Sequence, residues 1–439
     1  MLKVFRTTRG IFSIEELRVR IFNTVKFLLL FRAGSYVVLP GIDPTKLTAG
    51  EAKGIFGLLD TFLGGAFSNA SVLGLGVMPY ISASIAIQLL TIAVPYFQRL
   101  QKEGHSGRKT IHQITKVLTI FIAMVQAIAY LSAAVAEEVI VISRPFFTGS
   151  SALILTAGTM FCIWLGDQIT DKGIGNGVSM LIMIGIISSL PGALFSEILS
   201  RGTRGALVLV IELLLLFLIV VGVVMFTKAT RKIPVQYAKQ MVSSNIYGGQ
   251  RQYIPLKLNT SGVMPIIFSQ SLMFLPALVA SVWSEKSNVA AFVGRVFADF
   301  TTWQYNVTFS LLIILFTFFY TAITINPIQI ADDMKRSNGF IPGVRPGKPT
   351  AEVIDNILSR ITLPGSIFLA VIAILPAFAH MAGISSSFSR FYGGTSLLIM
   401  VGVVLDTLQQ IESLLLMRRY EGLMKSGRSA NRSQHTVVG

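Results

Sequence analysis

The chain has 439 residues, of which 52% are hydrophobic and only 13% charged, whereas a soluble globular domain carries about 25% charged residues. Lys and Arg outnumber Asp and Glu by 37 to 21, a net charge of +16. These figures exclude an ordinary soluble enzyme and make the basic excess first a question of membrane orientation. The one cysteine, Cys162, lies in the apolar run FCIWL, and His105, His112, His380 and His435 have no metal-ligand spacing. The sequence therefore offers no disulfide framework and no metal or cofactor site. Its polar start, MLKVFRTTRG, precedes no short apolar core with a small-residue cleavage site, so no cleavable signal peptide is expected.

A helix that crosses a bilayer needs about 20 mostly apolar residues. In chain order the sequence predicts ten such spans, at 21–40, 75–97, 117–135, 151–168, 174–191, 206–227, 261–282, 307–326, 361–378 and 393–412. The expected fold class is an all-α polytopic membrane protein. The span at 206–227 is the strongest, and 261–282, interrupted by Pro265 and Pro276, the weakest. Ten spans put both termini on one side. The loops on that side hold the whole +16 excess and the opposite loops balance, so the termini are assigned to the cytoplasm by the positive-inside rule. Lys26, Arg32, Glu212 and Asp406 are the charges left inside spans; neither acid has a partner evident in the sequence.

Three stretches between the spans call for more than topology. TFLGGAFSNASVLGLG, at 61–76, is too short and polar to span and is broken by Gly64, Gly65, Gly74 and Gly76. It is either an extracytoplasmic surface helix or a re-entrant element, and broken backbone at membrane depth is tolerated only inside protein or beside a water-filled cavity. The loop 228–258 carries Lys228, Arg231, Lys232, Lys239, Arg251 and Lys257 with no acid. Orientation is a partial cause of its charge but does not explain why the loop is both about 30 residues long and rich in Lys and Arg, and Tyr237, Tyr247, Tyr253 and Ile254 argue against plain disorder. An ordered basic hairpin of this kind suits an acidic partner. In the loop 328–360, the piece GFIPGVRPGKPT alternates stiff prolines with turn-permitting glycines. It is either a solvated turn or a rigid finger that presents Arg345 to a partner.

The spans themselves favour Ile, Ser, Thr, Gln and Gly, as in ISASIAIQLL and GVMPIIFSQS. An aliphatic constriction resists water and ions by dewetting, although most such faces simply pack. Ion-coupled transporters place ionisable groups at midplane, and no compact polar site of that kind is evident.

Four blocks make the sequence specific: VMPYISASIAIQLLTIAVPYFQRLQKEGHSGRK at 77–109, GDQITDKGIGNGVSM at 166–180, RKIPVQYAK at 231–239 and GFIPGVRPGKPT at 339–350. With these blocks in this order the chain resembles the bacterial SecY family, the channel subunits of the protein translocon, essentially from residue 15 to 425. The resemblance implies ten helices in two inverted halves around a central pore. The halves would be 1–190 and 206–425, with a hinge at 191–205 and a tail at 426–439. It implies a pore ring of Ile81, Ile85, Ile182, Ile186, Ile267 and Ile399; the spacing of four in the first two pairs fits one helix face. It also implies a plug around Phe62, Leu63, Gly64, Gly65, Phe67 and Leu73. A lateral gate would lie on the second and seventh spans, with Gln88, Ser269 and Gln270 as polar candidates. Docking would use Arg231, Lys232, Lys239, Arg345 and Lys348. After YAK this sequence reads QMVSSN, where many relatives continue with basic residues, so Arg345 and Lys232 bear more of the docking.

The implied partners are SecE-like and SecG-like membrane subunits, the SecA motor ATPase, the ribosome, signal sequences, unfolded preproteins and the lipid bilayer. The implied place is the bacterial plasma membrane. No P-loop is present, so the chain is expected to be a passive conduit rather than an enzyme. The alternative is a secondary transporter with an inverted repeat.

Overall fold

The computed structural model describes residues 14–43, 60, 63–134, 139–202, 205–237, 241–242, 245–246, 252–283 and 299–435. In lipid a spanning segment must satisfy its own backbone, and helices accordingly dominate. The first half gives α1 (Glu15–Gly34), α2 (Met78–Ala93), α3 (Pro95–Lys102), α4 (His105–Ala134), α5 (Arg144–Lys172) and α6 (Gly177–Arg201). The second gives α7 (Ala206–Lys228), α8 (Met264–Trp283), α9 (Trp303–Thr324), α10 (Pro327–Arg336), α11 (Lys348–Met381), the short α12 (Ser386–Ser389) and α13 (Gly394–His435). Among the described residues five strands fall outside the helices: β1 (Thr230–Tyr237), β2 (Met241–Val242), β3 (Asn245–Ile246), β4 (Gln252–Lys257) and β5 (Gly339–Phe340).

Among the described residues, seven helical stretches are long and apolar enough to cross a bilayer, and the bent pair α2–α3 makes an eighth. The chain is thus a multi-pass membrane protein, and length and composition alone do not reach ten. The first expected span lies on α1, which carries Glu15, Glu16, Arg18, Arg20, Lys26 and Arg32 within twenty residues. The seventh enters as a shorter apolar segment, Met264–Met273. The second stops early: Val94, held extended with φ −111° and ψ 119°, precedes Pro95, and a residue before proline is pushed out of the helical region. The fifth runs longer than expected, with Pro191 inside α6 and the helix continuing to Arg201.

The chain divides into two compact units, Met1–Glu51 with Leu59–Ser189 and Gly402–Gly439, and Ala52–Leu58 with Leu190–Val401. In the first, α2 and α5 both pack on α4, and α1 packs on α5. Small buried side chains such as Ala83, Ala123, Ala127 and Ala152 let these helices approach closely, as membrane helices do. In the second, α9 packs on α8 and α11, and α10 on α11. The lipid-facing character is plainest on α7, whose apolar residues are mostly exposed and whose buried side chains are Glu212, Val223 and Phe226. A helix that is apolar all round yet uncovered by protein needs a hydrocarbon solvent.

Candidate functional site

In the first unit the backbone from Leu63 to Val77 forms a chain of tight turns, closed by bonds such as Ser71 N–H to Ala66 O at 3.1 Å and Gly76 N–H to Leu73 O at 2.9 Å. Its small and apolar residues Leu63, Ala66, Phe67, Ala70, Leu73, Leu75 and Val77 are buried. Four contacts pin it. Asp60 Oδ1 accepts from the N–H groups of Phe67 at 3.1 Å and Ser68 at 2.9 Å, in the manner of a helix cap. The Arg32 guanidinium donates to Gly64 O and through Nη2 to the Tyr36 hydroxyl at 2.8 Å, while also lying over the Tyr36 ring. The buried Tyr130 hydroxyl donates to Phe67 O at 2.6 Å, and the two rings sit 4.5 Å apart. Finally, Val72 N–H donates to Val37 O at 2.8 Å and Leu39 N–H to Ala70 O at 3.0 Å, which clips the segment to the strand-like exit of α1.

Gly64 has φ +62°, and a side chain there would strike Ser188 and Arg32. Gly158 on α5 lies against Val72 O with no room for a Cβ. These two glycines let the segment lie directly against its neighbours. Of the residues that the SecY-like reading assigns to a plug, Leu63, Gly64, Gly65, Phe67 and Leu73 belong to this segment; Phe62 lies outside the described residues.

The second unit carries a different construction. β1 pairs antiparallel with β4 in the register Ile233 opposite Ile254 and Pro234 opposite Tyr253, and β5 joins β1 through Gln236 and Tyr237. Pro234 sits where β1 has β4 alone as neighbour, which suits a residue with no N–H to give. β2 and β3 form a minute hairpin, Met241 opposite Ile246. Alternation along β1 turns Ile233 and Val235 inward, where they join Leu256, Met334, Ile341, Ile354 and Leu358 in one apolar core. The loops after α7 and α9 are therefore one small folded body, stapled by a shared sheet and roofed by α10 and the start of α11. Asn326 caps α10, accepting from Ile328 N–H at 3.1 Å. At the tip, Gly343 and Gly347 take positive φ, and Thr350 Oγ1 donates to Arg345 O at 2.9 Å. Arg231, Lys232, Arg345 and Lys348 are all exposed; Lys239 lies outside the described residues.

The SecY family model matches residues 71–408, and the protein translocase subunit SecY of Halalkalibacterium halodurans is 42% identical over 442 residues, covering 96% of this chain and 100% of its own. The chain belongs to the SecY family. In fold it is similar to a solved protein-conducting channel, with TM-score 0.64 and 16% identity over 90% of this chain and 92% of the other. It is also similar to Sec61 in the canine ribosome–channel complex of the endoplasmic reticulum, with TM-score 0.61 and 15% identity over 90% and 92%.

The remaining SecY-type positions lie on four helices. Ile81 is buried and Ile85 half-buried, one turn apart on α2; Ile182 and Ile186 are buried, one turn apart on α6. Ile267 is half-buried on α8 and Ile399 buried on α13. Gln88 is half-buried, and its amide donates to Ser84 Oγ at 3.4 Å. Ser269 is buried, its hydroxyl donating to Pro265 O at 2.8 Å, and buried Gln270 accepts from Thr395 Oγ1 at 3.5 Å.

One polar cluster escaped sequence reasoning. Arg201 donates to Glu197 Oε1 at 2.9 Å, to Glu212 Oε1 at 2.6 Å and to Gly383 O at 2.7 Å. Glu197 Oε2 in turn accepts from Ser385 N–H at 3.0 Å. Glu212, which looked unpartnered in the sequence, is thus paired across the α6–α7 turn. The i,i+4 spacing of Glu197 and Arg201 was the available signal. Nearby Tyr392 is fully buried, and burial pushes its phenol above the usual range, with Glu212 and Glu197 adding to the effect. Pairing is the expected state for buried charge, since an isolated one is costly.

Proposed function

We infer that this chain is the central channel subunit of a protein translocase in the bacterial plasma membrane, with both termini in the cytoplasm. It passes unfolded secretory polypeptides across the membrane and releases membrane-protein helices sideways into lipid. The observation that carries this reading is the pinned segment 63–77: a non-spanning, glycine-bearing element buried among helices, held by a few polar contacts to α1, α4 and Asp60. Such an element can be withdrawn without unfolding the helices that surround it, as a plug requires.

In this reading the isoleucines of α2, α6, α8 and α13 seal the pore by dewetting, and Gln88, Ser269 and Gln270 line the lateral gate. The apolar-cored platform presents Arg231, Lys232, Arg345 and Lys348 to the motor ATPase or the ribosome. A preformed platform lowers the ordering cost of binding. Partner binding and a signal helix bias a two-state element from plugged to open. The driving energy comes from the motor, and SecE-like and SecG-like subunits pack against the helices.

The test is reconstitution of the chain with a SecE-like subunit and a SecA-type motor in vesicles. Import of a signal-bearing precursor upon ATP addition supports the reading, and import that is absent while the motor hydrolyses ATP overturns it. Cysteines that cross-link α2 to α8 should block import; passage through the linked protein would reject the gate.

A further inference from the structure

At the end of α6 one guanidinium holds three stretches of the second unit together. Arg201 Nε donates to Glu197 Oε1 at 2.9 Å, one turn back on α6, while Nη2 donates to Glu212 Oε1 on α7 at 2.6 Å and to Gly383 O at 2.7 Å. Glu197 Oε2 adds a second link to the turn after α11, accepting from Ser385 N–H at 3.0 Å. Ser385 in turn caps α12, its Oγ accepting from Phe388 N–H at 3.4 Å. From there Phe388, Phe391 and Tyr392, all buried, lead into α13. The carboxylates of Glu197 and Glu212 are 1% and 7% exposed, and Arg201 is 26% exposed. Among the described residues Arg201 is the one cation paired with either acid, and Glu212 Oε2 has no partner.

Apolar packing does little of this positioning. The buried side chains of α7 are Glu212, Val223 and Phe226, so Glu212 is the one that fixes its first half. On the last turns of α6, Phe195, Ile198 and Leu199 are exposed. The charge-assisted bonds are the strong ones, and a buried pair that loses one partner leaves the other uncompensated. With two acids on one cation, loss of Arg201 strands both. The helices that these bonds join also matter: α6 begins in the first compact unit and ends in the second, and α13 begins in the second and ends in the first. Ile182 and Ile186 lie on α6, and Ile399 lies on α13. We propose that Arg201 is a positioning residue that keeps the channel ion-tight at rest. By tying the end of α6 to the turn that leads into α13, it sets where the isoleucines of both helices stand. This inference rests on the channel reading and on the seal that it assigns to those isoleucines.

The full-length chain, reconstituted with a SecE-like subunit, gives resting conductance and motor-driven import from one preparation. Arg201→Gln should raise resting conductance about tenfold or more, the worth of one charge-assisted hydrogen bond, while import persists. Adding Glu212→Gln should bring part of that leak back, because one stranded carboxylate is gone. A second variant, Glu197→Cys with Ser385→Cys, keeps Arg201 and breaks one link; the only native cysteine, Cys162, is buried. Its leak should return to the unaltered level when a short bifunctional thiol reagent joins the pair, a rescue that a folding defect would not show. Conductance unchanged by Arg201→Gln, or a cysteine-pair leak that joining leaves in place, would overturn the proposal. A leak that arises only together with loss of import would also overturn it, in favour of a purely structural role. Failure of the unaltered protein to import would instead remove the channel reading, and this inference with it.

Discussion

The segment 63–77 and the body formed by the loops after α7 and α9 are both irregular insertions among membrane helices, but they are held by opposite means. The first has glycine-rich turns, buried small and apolar side chains and a handful of polar staples from Arg32, Asp60 and Tyr130. The second has paired strands over a core of Ile233, Val235, Leu256, Met334, Ile341, Ile354 and Leu358. Neutral hydrogen bonds contribute about 0.5–1.5 kcal/mol net each and charged ones about 1.5–3 kcal/mol, so in the proposed plug role the staples of the first set part of the cost of releasing it. A packed apolar core loses about 2–5 kcal/mol for each large side chain truncated, so the second would keep its shape under the load of the proposed docking. In the proposed function the first is the element that moves and the second the one that is held.

The comparison breaks first at the tip of the platform. Arg345→Glu should reduce motor-driven import more than tenfold while leaving the melting curve unchanged, because Arg345 is exposed; normal import would remove its docking role. Next, Ile354→Ala in the platform core should cost about 2–5 kcal/mol of local stability, read as faster amide exchange across β1 and β4. Unchanged protection would mean that the core is not what makes the platform rigid. Third, Arg32→Gln removes the charged staple on Gly64. Loss of a charge-assisted hydrogen bond, about 1.5–3 kcal/mol, should raise resting ion conductance of reconstituted vesicles about tenfold or more, while import persists. The smallest effect is expected for Tyr130→Phe, which deletes only the bond to Phe67 O at 2.6 Å. It should raise the leak about fivefold, in line with about 1 kcal/mol. A leak from Tyr130→Phe larger than from Arg32→Gln would reverse the order of the staples.

Much of this was legible in the sequence because the membrane makes a coarse demand. Any run of about 20 apolar residues must be a helix, so α4 to α7, α9, α11 and α13 follow from hydropathy. Helix ends were less legible: Pro95 stopped a helix that periodicity would have continued, whereas Pro191 did not stop α6. The site was legible in part. Gly64 and Gly65 advertised a broken backbone, and the prolines and glycines around Arg345 advertised a stiff tip. The staples did not show themselves, because Arg32, Asp60 and Tyr130 lie 32, 7 and 63 residues from the groups they hold, and no local rule connects them. The same holds for Glu212, whose partner Arg201 comes from the preceding helix.

The sequence by itself determined that this is a multi-pass membrane protein, and its motifs pointed to a SecY-type channel. Those conclusions rest on hydrophobic transfer and short-range patterning, which depend on composition and neighbours along the chain. Only the tertiary structure decided that the loops after α7 and α9 share one sheet and one core. It alone also paired Glu212 with Arg201 and set the distant Arg32 and Tyr130 against the segment 63–77. Hydrogen bonds and packing act over a few ångströms in space, and distance along the chain does not encode them.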